Sequence, residues 1–295
     1  SLYIKTYLNC LMPEKLDSVE LAESSLKKIE DCVEKVDKAK LKECKNSDQL
    51  FNYLLDFWGH FLFSNEEQFK EVINLLVSTQ KGLSKGEILS ITKADPEDLK
   101  LFFTIFKPFI MSFNSLWMIK NDSFKMAIIK KYDFASSQIN EKIAETLKKT
   151  PNSIRKLEEE TFQLYNSGNY FKLKEVISDI ENFLLLFNPY TKYDLCRYWQ
   201  KLEERSFDPV IEYNKAIEGF EMHYHPTSDD LFRIITQISR FLSEFSDFET
   251  YYTPDFRHPK LIGNNKELED IGILGEFKNL ALCEEEDSLE VTQCA

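Results

Sequence analysis

Between positions 134 and 252, turn signals ("NSGN", "NPY", "FDP" and "HPTSDD") recur roughly every sixteen to twenty residues. The segments between them are apolar at alternating three- and four-residue steps, the period of a helix with one buried stripe. "NSIRKLEEETFQLYNSGNY" pairs with "YFKLKEVISDIENFLLLF" across Gly168, and "TKYDLCRYWQKLEERSF" pairs with "DPVIEYNKAIEGFEMHYH". "TSDDLFRIITQISRFLSEFSDFETYY" follows them. A helix that is apolar on one stripe must cover it, and repeated pairs of this length do so by stacking. The spacing favours a solenoid of helical hairpins over a compact bundle.

The same period governs the first third of the chain. "LDSVELAESSLKKIEDCVEKVDKAKL" sets Val19, Ala22, Leu26, Ile29 and Val33 on one stripe. A helix from a Ser47 cap to near Gly59 and another from Ser64-Asn65 to just before Gly82 are expected next. Asp95 then caps a helix with Pro96 at its first position, and Pro108 stops it. "FIMSFNSLWMIKND" reads as a hairpin about Asn114-Ser115, followed by "SFKMAIIKKYD" capped by Asp122 or Ser123. Helix, helix, hairpin, helix over Glu66 to Tyr132 is the order of a winged-helix-like module. The expected organisation is a helical lead-in over 1–64, the winged-helix-like module over 65–133 and helical repeats over 134–252. A connector, a terminal helix and a loosely held acidic tail complete it over 253–295. The fold class is mainly α, a winged-helix-like module followed by a helical-hairpin solenoid.

The stretch "STQKGLSKGEILSIT", with its two glycines and two lysines, has the look of a phosphate-binding loop. Such a loop needs Lys directly after its second Gly and an apolar strand before its first. Here Glu87 follows Gly86, and a helix precedes Gly82. A carboxylate at the phosphate position is electrostatically wrong, whereas Ser84 three residues ahead of Glu87 makes a capping box. The stretch is a helix start, and no nucleotide or other cofactor is expected.

Charge narrows the function classes further. The chain carries 37 basic and 50 acidic residues, net −13, which repels a phosphate backbone unless the cations cluster. Lys130-Lys131 and Lys148-Lys149 are the densest basic spots, and acids lie near each. Six cysteines stand apart with no C-x-x-C, the usage of a reducing, cytoplasmic compartment. No apolar run approaches a membrane span, since Lys107 interrupts "LFFTIFKPFIM". His223 and His225, two apart, lack the further ligands zinc requires and suit a helix C-terminus ended by Pro226. No metal site is expected. The chain opens on "SLYIKTYLNCLM" without an initiator Met, which reads as a fragment of something longer.

The paired carboxylates of "KLEEETF" and "KLEERSF" read as solvated helix faces with Lys and Arg beside them, and no nucleophile, base and orienting acid converge. An enzyme is not expected. Trp58 and Trp199 fall on apolar stripes and read as core. The repeat half is rich in tyrosine, a side chain of large apolar area with a polar tip that suits protein interfaces. Tyr165, Tyr170, Tyr190, Tyr193, Tyr213 and Tyr224 are the candidate partner-binding residues, with Tyr198, Tyr251 and Tyr252 beside them. The acidic excess favours a basic protein partner.

The ordered set "SLYIKTYLNCL", "GLSKGEILSIT", "PFIMSFNSLWMIKNDSFKMAIIKKY", "RKLEEETFQLYNSGNYFKLKEVISDIENFLLLF" and "KYDLCRYWQKLEE" resembles a known arrangement. It is similar to the region after the nucleotide-binding core of NACHT/STAND-type ATPases, in nephrocystin-like and telomerase-associated-protein-like members. Ala216 and Phe220 fit the A-x-x-x-F element of a tetratricopeptide repeat. The resemblance implies a phosphate-loop ATPase ahead of Ser1, a winged helix, then a repeat superhelix that recognises partners, with a cytoplasmic and cilium-associated setting. It also implies a nucleotide-sensing His after the hairpin, where this chain has Asn121. Asn can donate a hydrogen bond but cannot become cationic. The function expected is a non-catalytic scaffold segment of a larger ATPase, the alternative being nucleic-acid binding through the winged-helix-like module and the lysines of "SFKMAIIKKYD".

Overall fold

A computed structural model describes residues 35–63, 65–132 and 136–252, together with Lys27. The stripe from Val19 to Val33, the tail beyond 252 and the side chains of Tyr251 and Tyr252 lie outside the described residues. The protein is mainly helical, and the chain divides into two compact units at Gly168/Asn169.

The first unit contains α1 (Lys38–Glu43), α2 (Ser47–Phe61) and α3 (Glu66–Ser78), then β1 (Leu83–Ser84), α4 (Lys85–Thr92) and α5 (Pro96–Ile105). The hairpin β2 (Ile110–Phe113) and β3 (Leu116–Ile119) follows, then α6 (Asp122–Tyr132), α7 (Ser136–Leu147) and α8 (Ile154–Ser167). Sheet order is β1-β3-β2, antiparallel throughout, with Leu83 opposite Trp117 and Ser112 opposite the same residue from the other side. Asn114 (φ 50°) and Ser115 (φ 64°) are both left-handed, as a two-residue hairpin turn requires.

Two helix starts differ by one or two residues from the sequence reading, each for a side-chain reason. Asn46, not Ser47, caps α2 by accepting the Gln49 N–H at 2.9 Å. Asn121, rather than Asp122 or Ser123, caps α6 by accepting the Phe124 N–H at 2.8 Å. Gly59 lies inside α2 and does not end it. A Cβ there would stand 2.9 Å from the Phe69 ring, so the glycine lets α2 and α3 approach. The core of this unit joins Leu54, Leu55 and Trp58 of α2 to Phe69 and Ile73 of α3. Phe102, Phe106 and Phe124 join the same cluster, as do Ile143 and Leu147 of α7. Phe102 and Phe106 stack at 4.7 Å, and Phe106 lies 5.9 Å from Phe124.

The second unit contains α9 (Tyr170–Ser178), α10 (Ile180–Leu186), α11 (Lys192–Glu203), α12 (Pro209–Tyr224) and α13 (Ser228–Tyr252). The single helix expected over "YFKLKEVISDIENFLLLF" breaks at Asp179, whose extended backbone (ψ 130°) lets its side chain cap α10 through the Asn182 N–H. Leu173, Ile177, Phe183, Trp199, Tyr213 and Phe241 are buried in this unit. Within the first unit α7 and α8 form a tight helical hairpin. The repeat region expected from 134 onward thus begins with two helices that belong to the first unit.

Candidate protein-interaction surface

The connection between α10 and α11 is built by side chains. Asn188 donates through Nδ2 to the Leu185 carbonyl at 2.9 Å and to Thr191 Oγ1 at 2.7 Å. Its Oδ1 accepts the Tyr190 N–H at 2.9 Å. Thr191 is buried and donates its hydroxyl to the Leu186 carbonyl. A turn tied at that many points holds its shape, and at its tip the Tyr190 side chain is 93% exposed. Tyr193, on the first turn of α11, is 59% exposed, and its ring lies tilted 6.3 Å from that of Phe248. Leu184 and Leu185 are also exposed. Ten residues therefore present four large apolar side chains on a braced frame, and water-exposed apolar groups of that density are a feature of interfaces.

Behind Tyr193, Glu244 accepts from Lys192 at 2.7 Å and from Arg240 at 3.1 Å. Partial burial pushes the Glu244 carboxyl up, but these two cations outweigh it and hold it below the ordinary range. Burial, with Glu244 adding to it, pushes the neighbouring Cys196 thiol up to about 12, so this cysteine is a small apolar packer and not a nucleophile.

The other candidate tyrosines are distributed differently. Tyr224 is exposed at the end of α12, its ring stacked on Phe220 at 4.7 Å. Tyr165, in the first unit, is half-buried, and so is Tyr170, which lies 5.0 Å under the Arg205 guanidinium. Tyr213 is fully buried, as is nearly all of Tyr198, so neither can touch a partner. The Tyr213 hydroxyl accepts from the Trp199 indole at 3.1 Å and donates to the Ile177 carbonyl at 3.1 Å. Phe183 and Phe241 pack against its ring. Period alone could have flagged Tyr213, since with Ile217 it makes the apolar stripe of α12.

A second polar constellation departs from the solvated face expected of "KLEEETF". Glu159 and Glu160 of α8 are buried, not solvated. The Glu159 carboxylate accepts the backbone N–H of Gln80 at 3.1 Å and of Lys81 at 2.5 Å. Gln163 donates to Glu159 at 2.7 Å and to the Ser78 carbonyl at 2.9 Å. Arg155 grips the other side of the same loop. Its Nη1 donates to Glu87 at 2.5 Å, while Nη2 reaches the second Glu87 oxygen at 3.1 Å and the Gly82 carbonyl. The capping box is present: Glu87 accepts the Ser84 N–H at 2.7 Å and Ser84 accepts the Glu87 N–H at 3.2 Å. Gly82 takes φ 86°, and a Cβ there would crowd the Trp117 carbonyl at 3.0 Å. The glycine-lysine stretch does present amides to an anion, but that anion is a carboxylate of its own chain. The run of Lys156, Glu159, Glu160, Thr161 and Gln163 on a helix with buried Leu157 and Leu164 was the available signal: such a helix is covered on more than one side.

His225 closes α12 in the left-handed conformation (φ 46°), and His223 donates Nδ1 to the Gly219 carbonyl at 2.9 Å. Among the described residues no group of three His, Cys, Asp or Glu side chains is placed to hold a metal ion. Nor is any helix of the described residues long and apolar enough to cross a membrane.

No protein-family model matches the chain, and no solved structure does. A TPR repeat-containing protein of Dictyostelium discoideum is 24% identical over 177 residues. The match covers 57% of this chain and 11% of that protein, so the chain spans about a tenth of its relative's length.

Proposed function

We propose that this chain is a non-catalytic protein-interaction segment within a larger signalling ATPase of the STAND type, and that its second unit carries partner recognition. The observation that carries this reading is the braced turn at Asn188–Thr191, which presents Tyr190 and Tyr193 to solvent on a helical frame. Aromatic anchors held in place lose little freedom when a partner covers them, which favours binding. Likeness to a TPR repeat-containing protein supports a helical scaffold that takes protein partners. The ATPase context is read from the order of segments, and the succession of α3, β1, α4, α5 and the β2–β3 hairpin supports it.

The nucleic-acid alternative finds less support. In this element order the helix ahead of the hairpin would face a groove, and that helix is α5, not the lysine-bearing α6. Asp95, Glu97 and Asp98 stand at the start of α5, where they would repel phosphates.

The test of partner recognition is affinity capture from cells of the source organism with the full chain and with Tyr190→Ala/Tyr193→Ala. Proteins held by the unaltered chain should be lost from the variant. Capture that survives both substitutions undiminished would refute recognition through this turn. For the parent protein, the test is the gene: an in-frame G-x-x-x-x-G-K-[ST] ahead of the codon for Ser1 is expected.

A further inference from the structure

The end of α12 carries an arrangement that costs stability where it stands. Helix C-termini bear partial negative charge, so acids in the last turns are unfavourable there. Glu218 and Glu221 occupy those turns, are exposed, and take part in none of the ion pairs among the described residues. Asp229, exposed just across the turn on α13, is likewise unpaired, and Arg233 one turn further on forms no ion pair with it. Six of the nine basic residues of this unit are engaged elsewhere. Lys174 and Lys215 hold Glu212, Lys192 and Arg240 hold Glu244, Arg197 holds Asp194 and Lys201 holds Glu204. Between positions 169 and 252 there are nine basic and fifteen acidic residues, a net of −6. Amid these carboxylates Met222 is 70% exposed, more than any other large aliphatic side chain described.

We propose that this end of α12 is a docking face for a Lys- or Arg-rich protein segment that carries an apolar side chain. The inference deepens the scaffold reading and rests on it, but the face is separate from the Tyr190 turn. Methionine adapts its shape to an incoming side chain, which suits it to the centre of such a face. The surrounding carboxylates and the helix end supply a field that draws cations in and weakens with salt. A partner cation would also relieve the repulsion that Glu218 and Glu221 meet at the free helix end.

The experiment uses the full chain and three labelled helical peptides followed by fluorescence anisotropy: Lys/Leu, Lys/Ser and Glu/Leu sequences of one pattern. The Lys/Leu peptide should bind at low salt, more weakly as salt rises, and better than either other peptide. Glu218→Gln/Glu221→Gln should weaken it roughly fivefold, the sum of two partly screened charge contacts. Met222→Ser should weaken it while leaving the salt dependence in place. Glu175→Gln/Glu181→Gln removes the same charge from exposed positions on α9 and α10 and should leave binding unchanged. Equal weakening by both double substitutions would reduce the effect to net charge and overturn the proposal. So would failure of the Lys/Leu peptide to bind, or equally tight binding of Lys/Ser. Self-association of the chain that Met222→Ser abolishes would make the occupant a second copy and also overturn it. None of these outcomes bears on Tyr190, whose capture test stands by itself. All the substituted side chains are exposed, so a circular dichroism melt should show every variant folded.

Discussion

A tyrosine hydroxyl in water exchanges partners freely, but that of Tyr213 sits fully buried between the Trp199 indole N–H and the Ile177 carbonyl. Tyr213→Phe would leave both of those groups without a partner, which costs about 1–3 kcal/mol. Tyr190→Ala touches a side chain already in water and should shift stability by less than about 0.5 kcal/mol. Urea denaturation of the two variants checks both values, and a costly Tyr190→Ala would mean that the turn is structural. Glu212 illustrates how partners can outweigh burial. Partial burial pushes its carboxyl up, yet hydrogen bonds from Lys215 and Lys174 pull it below the ordinary range. A carboxyl lowered in the folded state contributes stability above its unfolded value and loses it as pH falls through the folded one. Glu212→Gln should therefore cost about 1 kcal/mol at neutral pH, with the difference fading in acid, as a denaturation series across pH would show. Cys196, raised by burial to about 12, should resist alkylation in the native protein at mildly alkaline pH and react once the protein is unfolded. Peptide mapping of that one residue decides the matter.

Elements show where a sequence reading reaches and where it stops. Ser84 and Glu87 announced a helix start through a spacing that works within four residues, and α4 begins there. Ser84→Ala should cost about 1 kcal/mol, read by chemical denaturation. The three-stranded sheet was only partly legible. The β2–β3 hairpin has a turn signature of its own, while β1 is two residues long and exists because Trp117 and Leu116 lie alongside. The break at Asp179 hides in a run that is apolar enough for one continuous helix, because a cap requires only one residue to leave helical backbone angles. Glu159 and Arg155 were the larger loss. Their partners lie roughly seventy to eighty positions away, and no local period can encode a contact at that separation. Arg155→Ala removes a charged fork from Glu87 and a donor from Gly82, and should cost about 2–3 kcal/mol. That cost exceeds what the cap alone contributes. Of the candidate tyrosines, Tyr190, Tyr193 and Tyr224 are exposed and Tyr213 is buried; residue type alone could not separate them.

At the scale of the molecule, the division at Gly168 sets which pieces can stand alone. Ile143 and Leu147 of α7 share the core of the first unit, and α8 holds the 78–87 loop by polar contacts. A fragment of residues 35–168 should melt cooperatively, and one ending at 132 should not, as monitored by circular dichroism. Cooperative melting of the shorter fragment would show that α7 and α8 are accessories. The three tryptophans fall on either side of the same division, Trp58 and Trp117 before Gly168 and Trp199 after it. Trp199 is wholly enclosed and donates its N–H to Tyr213, while Trp117 lies against Phe103 at 4.0 Å with the Lys85 ammonium over its ring. The chain thus carries a separate optical label in each half. With Trp58 and Trp117 replaced by Phe, the emission of a single enclosed indole would report the opening of the second unit alone, on the intact chain and without an added dye.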